Sequence, residues 1–108
     1  MSIKIHVRKH KRIQVLEIVG ELTGDQVGKI AVRLERMRKS TSQTIAVDLS
    51  RTTFIDSHGL GAFVYSWRLL ENEHRDLVFI SPRGFILNML RNTNLDRVFR
   101  IVDSIEDL

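Results

Sequence analysis

The side chains of this chain that could do chemistry crowd into one stretch, residues 48–61. Asp48, Asp56, Ser57 and His58 are the residue types of a hydrolase triad. Their arrangement argues against one. Ser57 and His58 are neighbours at a helix start, so their side chains diverge, and the Gly-x-Ser-x-Gly elbow is missing. Asp56 at a strand end would suit an aspartyl phosphate, but such a receiver needs further acidic residues at adjacent strand ends to hold Mg²⁺. Only Glu21 is a candidate for that role. His6, His10, His58 and His74 lack metal-ligand spacing. There is no phosphate loop of the Gly-x-x-x-x-Gly-Lys kind. No enzyme, cofactor or metal is therefore expected. What is left is a hydroxyl, Ser57, displayed where a strand gives way to a helix. Asp and Ser both favour the cap position because their oxygens accept unpaired backbone N–H groups. Gly59 and Gly61 add little bulk, which opens the backbone near Ser57 to close approach.

The elements around this corner follow from periodicity. Residues 44–49 are too uniformly apolar for a one-sided strand, so both faces are expected to be covered. A short loop then leads into a helix over 57–73. Leu60, Phe63, Val64, Trp67 and Leu70 form its inward face, and Ala62, Tyr65 and Leu69 form a narrower second stripe. Residues 77–80 read as a buried strand. Strand, helix and strand make a parallel crossover unit and put the chain in the α/β class. Upstream, residues 3–8 alternate apolar and polar. A polar break at 9–12 and a second apolar run from Ile13 to Val19 predict an antiparallel hairpin. Val27, Ile30, Ala31, Leu34 and Met37 have helical spacing, with Lys29, Arg33 and Arg36 as a basic stripe. Ser81-Pro82 is read as the start of the last main helix, Ser as cap and Pro in the first turn. Asn92-Thr93-Asn94 ends it, and 98–102 fits an edge strand.

The 108 residues suit a single domain over 1–108. Absence of cysteine excludes disulfides and thiolate chemistry. No charged-then-apolar leader is visible and no apolar run approaches the ~20 residues of a membrane span, so a cytoplasmic location off the membrane is expected. Charge is uneven: residues 1–54 carry 11 Lys/Arg against 5 Asp/Glu, a net of +6, and residues 55–108 carry 6 against 8, a net of −2. The basic half favours an acidic partner through long-range attraction. The cluster Arg8, Lys9, Lys11 and Arg12 has no interleaved aromatic residue to stack bases, so direct nucleic-acid binding is not expected.

Asp48-Leu49-Ser50 followed by Phe54-Ile55-Asp56-Ser57-His58-Gly59-Leu60-Gly61 resembles the core signature of the STAS domain family, in particular its bacterial anti-sigma factor antagonists. Gly20-Glu21-Leu22 is similar to the family's corner after the second strand. The segment from Ser81-Pro82 to Val98-Phe99 is similar to its closing helix and strand. The resemblance implies a STAS-like fold, a mixed four- to five-stranded sheet packed with about four α-helices. It implies a partner-switching regulator without catalysis of its own. The unphosphorylated form binds an anti-sigma factor that is also a serine kinase, phosphorylation of Ser57 releases it, and a serine phosphatase resets it. By the same resemblance the partner contact runs over Asp56, Ser57, His58, Gly59, Leu60, Gly61, Ala62 and Tyr65, on a monomer or weak dimer. An alternative reading is an accessory STAS domain, never phosphorylated, on a lipid-transport ATPase or a sensor complex. His58 departs from the family pattern, which has a small residue there: it either pairs with the phosphate, selects a kinase, or is exposed and inert. The basic N-terminal half also departs from the acidic character of many members.

Overall fold

In the computed structural model, which describes residues 3–108, helices lie against one face of a mixed six-stranded sheet. The elements in order are β1 (Lys4–His10), β2 (Ile13–Leu22), α1 (Val27–Arg38), β3 (Thr44–Asp48), β4 (Thr52–Ile55), α2 (Ser57–Asn72), β5 (Asp76–Ile80), α3 (Gly84–Asn92) and β6 (Arg100–Val102). Short 3₁₀ turns span Gly24–Gln26, Leu95–Arg97 and Ile105–Asp107. Three α-helices are present among the described residues, where about four were expected. The short C-terminal one is a single 3₁₀ turn, capped by Ser104.

Strand order is β1-β2-β3-β5-β6, which puts β3 at the centre as its apolar run requires. The β1–β2 hairpin is antiparallel; β2–β3, β3–β5 and β5–β6 are parallel. The hairpin turn is tighter than the polar break at 9–12 suggested. Lys9 and His10 still pair with β2, and Lys11 takes a positive φ of 58° at the tip.

Alternation along each strand divides the core. Leu16, Ile18, Ile45, Val47, Leu77 and Phe79 face the helices, where Ile30, Leu34 and Met37 of α1, Phe63 and Leu70 of α2, and Ile86 and Leu90 of α3 close over them. Trp67 packs edge-on against Phe99 at 6.2 Å, a core role rather than a ligand platform. Val15, Ala46, Val78 and Ile80 point the other way, covered by Val102, Ile105 and Leu108.

Two readings need correction. The segment between the central strand and α2 is not all loop. Thr52–Ile55 forms β4, paired in parallel with the far end of β2. Its β-branched and aromatic residues have the strand propensity for this. The pairing exists because β2 runs ten residues, far enough to reach β4; the register shifts between Gly20 and Glu21, where β4 carries the extra residue Thr53, and Gly20 takes a φ of 105° that a side chain would disfavour. The last main helix also begins later than Ser81-Pro82. Ser81 holds a positive φ of 54° and gives its N–H to Val102, which ties the β5 end to β6, and α3 starts at Gly84. Asn94, at φ 60°, supplies the left-handed residue expected after it.

On the face opposite the helices, Asp48 is buried at the end of β3 and receives hydrogen bonds from the Ser50 N–H (2.9 Å) and the Arg8 guanidinium (3.0 Å). Arg8 also lies 3.8 Å from Glu17, so one guanidinium links β1, β2 and β3. Burial pushes the Asp48 carboxyl up, but the Ser50 and Arg8 bonds outweigh it and hold its pKa below the usual carboxylate range. A lowered folded-state pKa contributes stability above the unfolded value of about 3.9, which is lost as pH falls through the folded value. The wild type is expected to unfold at lower urea concentration as pH drops below about 4. Asp48→Asn is expected to be less stable at neutral pH with a shallower acid slope; an unchanged slope would show that Asp48 carries none of it.

Candidate functional site

The corner between β4 and α2 is built around Asp56. Its extended backbone (φ −91°, ψ −178°) makes it the N-cap of α2. One carboxylate oxygen accepts from the His58 and Gly59 N–H groups, both at 3.0 Å. The other accepts from the Gly24 N–H at 2.8 Å, in the 3₁₀ turn that follows β2. The carboxylate thus closes the start of α2 and pins it to a second loop. Its pKa is lowered, first by the Gly59 hydrogen bond, then by the Gly24 bond and the neighbouring His58. His58 Nδ1 stands 3.7 Å from the same oxygen as Gly24, with its side chain 74% exposed.

Ser57 occupies the first position of the helix and is exposed. Asp56 rather than Ser57 is the cap, which leaves the serine hydroxyl free of a structural duty. No hydrogen bond from its side chain is formed among the described residues. Thr52, buried under the corner, donates its hydroxyl to the Ile18 carbonyl at 2.7 Å. Phe54 stacks on Phe85 of α3 with ring centroids 5.4 Å apart. Neither Gly24 nor Phe54 was picked out as a site residue from sequence. Gly24 reaches the corner from far upstream, and Phe54, in the corner itself, stacks on a ring from far downstream.

The other residues of the expected contact face divide by helical phase. His58, Ala62, Tyr65 and Leu69 follow one stripe of α2, with Tyr65 65% exposed. Gly61 is exposed, and a Cβ there would meet open space. Leu60 is half-buried against the core. Gly59 is buried: a Cβ would sit 2.9 Å from Leu22 Cγ and 3.0 Å from Ile55 Cγ2. Its smallness serves the packing of α2 onto β2 and β4 and offers little surface to a partner. Asp48, grouped with Ser57 and His58 by residue type, is engaged with Arg8 and Ser50 instead. Among the described residues no group of three His, Asp or Glu converges as a metal site, and no helix is long and apolar enough to cross a membrane.

The STAS domain family is matched over residues 4–108. An anti-sigma-B factor antagonist of Listeria monocytogenes is 25% identical over 101 residues, covering 94% of this chain and 88% of the relative. One of Staphylococcus aureus is 24% identical over 106 residues, covering 98% of each. Among solved structures, an anti-sigma factor antagonist from Mycobacterium paratuberculosis superposes with a TM-score of 0.88 at 20% identity, over 98% of this chain and 90% of that one. The antagonist SpoIIAA is similar in its unphosphorylated form (TM-score 0.77, 21% identity, 96% of this chain and 92% of that one). The Bacillus cell fate determinant SpoIIAA in the phosphorylated form is similar to the same degree (TM-score 0.76, 19% identity, 96% of each chain).

The two glycines of the corner are expected to respond oppositely. Gly59→Ala overpacks Leu22 and Ile55 and should cost about 1–3 kcal/mol. Gly61→Ala should be neutral or stabilising by up to about 1 kcal/mol, because alanine is the better helix former. Ser57→Ala should leave the melting temperature unchanged while Asp56→Ala lowers it. Thermal unfolding by circular dichroism checks all four; a Ser57→Ala loss equal to that of Asp56→Ala would return the cap to Ser57.

Proposed function

The chain belongs to the STAS domain family, and from that premise we propose that it is an anti-sigma factor antagonist controlled by phosphorylation of Ser57. In this reading the unphosphorylated chain binds a cytoplasmic anti-sigma factor that is also a serine kinase. The kinase supplies ATP and the catalytic groups; the chain supplies the acceptor hydroxyl. A serine phosphatase reverses the mark.

The observation that carries the proposal is the division of labour between Asp56 and Ser57. The cap N–H groups of His58 and Gly59 are taken by the Asp56 carboxylate, so Ser57 is exposed and unneeded for the fold. A phosphate there would add a charge of about −1.5 to −2. The positive end of the helix dipole tolerates such a charge, so the fold survives. With those donors already occupied, the phosphate has little internal neutralisation and presents its charge outward. A partner surface shaped for a neutral hydroxyl beside one carboxylate is then met by two adjacent anions, and repulsion plus desolvation separates the proteins. The likeness of this chain to both the unphosphorylated and the phosphorylated SpoIIAA structures supports a switch without refolding. His58, exposed beside Ser57 and 3.7 Å from the Asp56 carboxylate, is in this reading a kinase-selecting residue.

Incubation with the kinase and ATP is expected to add one phosphate, on Ser57, as read by intact mass and peptide mapping. Ser57→Ala should take up none and still bind the kinase. Ser57→Asp should bind roughly a hundredfold more weakly, about 2.7 kcal/mol by calorimetry. Equal affinities for wild type, Ala and Asp variants, or a phosphate on Thr53 or Asp56 instead, would reject the proposal and leave an accessory domain.

A further inference from the structure

A groove of about 590 Å³ lies between α1 and α2, away from the Ser57 hydroxyl. Its base is mostly apolar: Ala31 from α1, and Ala62 and Leu69 from α2 with Ser66 between them. Its walls are Val32, 51% exposed, and Tyr65, 65% exposed, two of the five large hydrophobic residues left exposed among the described residues. Paired on one groove, they mark a contact surface rather than scattered exposure.

The rim is cationic. Arg36 and Lys39 border the groove, and Lys29 and Arg33 continue the charge along the far side of Val32, around a second hollow that Ile5 closes. None of these four has a carboxylate within ion-pair distance among the described residues. The one acid in the groove, Glu35, is engaged by Arg38, which also pairs with Glu73. The groove therefore combines an apolar floor with uncompensated positive charge.

That combination selects its occupant. A second copy of this chain would bring two cationic rims together, which like-charge repulsion opposes. A polynucleotide would set phosphates on an apolar floor that offers one aromatic ring for stacking. An amphipathic helix with an apolar stripe and acidic flanks satisfies both features, in the helix-in-groove mode of recognition. α1 has 12 residues, about 18 Å, which matches roughly three turns of such a helix. We propose that the α1–α2 groove receives an acidic amphipathic helix of a partner protein. The contact requires no phosphorylation; it borders the face expected to meet the anti-sigma factor, sharing Ala62 and Tyr65 with it, and does not include Ser57.

The test uses the full chain, isotope-labelled, and three synthetic peptides. The first is a helix-stapled peptide with leucines at i, i+3, i+4 and i+7 and glutamates elsewhere. The second has the same composition in scrambled order, and the third replaces glutamate by lysine. A single-stranded oligonucleotide is the fourth probe. Saturable binding of the first peptide alone is expected, with amide shifts at Ala31, Val32, Tyr65 and Leu69, weakening as salt rises. The double variant Arg36→Glu/Lys39→Glu should lose at least tenfold in affinity with an unchanged circular dichroism spectrum, whereas Ser57→Asp should stay within twofold. The proposal is overturned by equal binding of the scrambled or lysine peptide, by shifts confined to the Ser57 corner or the oligonucleotide occupying the groove, by a dimer that buries Tyr65, or by no saturable binding at millimolar peptide.

Discussion

The carboxylate of Asp56 accepts three backbone hydrogen bonds, two from the first turn of α2 and one from the turn after β2. A helix start leaves its first N–H groups without intrahelical partners, and a carboxylate there satisfies them and complements the helix dipole. Here the same group reaches Gly24, 32 residues upstream, so the cap is also a tertiary bond. The consequence falls on its neighbour. Because Asp56 fills the cap, Ser57 bears no structural load and stands exposed on a corner whose backbone is fixed from two sides.

The corner keeps its shape because β2 does two jobs. Its first half pairs with β3, and its last residues, from Gly20 to Leu22, pair with β4. That second pairing delivers Asp56 to the end of the sheet beside the turn that carries Gly24. Thr52 locks β4 to Ile18 from beneath, Gly59 lets α2 descend onto Leu22 and Ile55, and the Phe54–Phe85 stack joins α3 to the same end. All of these contacts but that of Gly59 with Ile55 span elements far apart in sequence, so the corner is a product of the assembled sheet.

All three helices cover the same face of the sheet, so α1 and α2 lie side by side and each has an inner apolar stripe and an outer one. The inner stripes make the core. The outer ones meet in the groove walled by Val32 and Tyr65, which Arg36 of α1 and Lys39 at its C-cap also border. Much of the positive charge of the N-terminal half therefore collects on one helix face, next to apolar surface. The Ser57 corner and this groove share α2 but differ in chemistry: one is polar and exposes a single hydroxyl, the other is mostly apolar with a cationic rim.

Local pattern was enough to read much of this molecule. The alternation of 3–8 and 13–19, the uniform apolar run at 44–49 and the helical spacings after Val27 and Ser57 are properties of consecutive side chains, and they recur as β1, β2, β3, α1 and α2. The order of Asp56, Ser57, Gly59 and Gly61 likewise marked the helix start and the family. What local pattern left open was any choice between two adequate residues or any partner far along the chain. Asp56 and Ser57 both make good caps, and only the position of Gly24 decides for the carboxylate that can bond both loops. Four residues at 52–55 are too few to declare a strand until the far end of β2 supplies their ladder. Pro82 is a fair helix starter, but Ser81, left-handed and bonded to Val102, keeps the chain out of the helix until Gly84. Gly59 and Gly61 look alike as letters, yet one faces Leu22 and the other open space, because the phase of α2 against the sheet is set by packing of the whole helix. Residue type and spacing determined the elements and the hydroxyl on offer; tertiary structure decided which group carries the fold and which is left free, because hydrogen bonds and van der Waals contacts across the sheet have no signature in neighbouring residues.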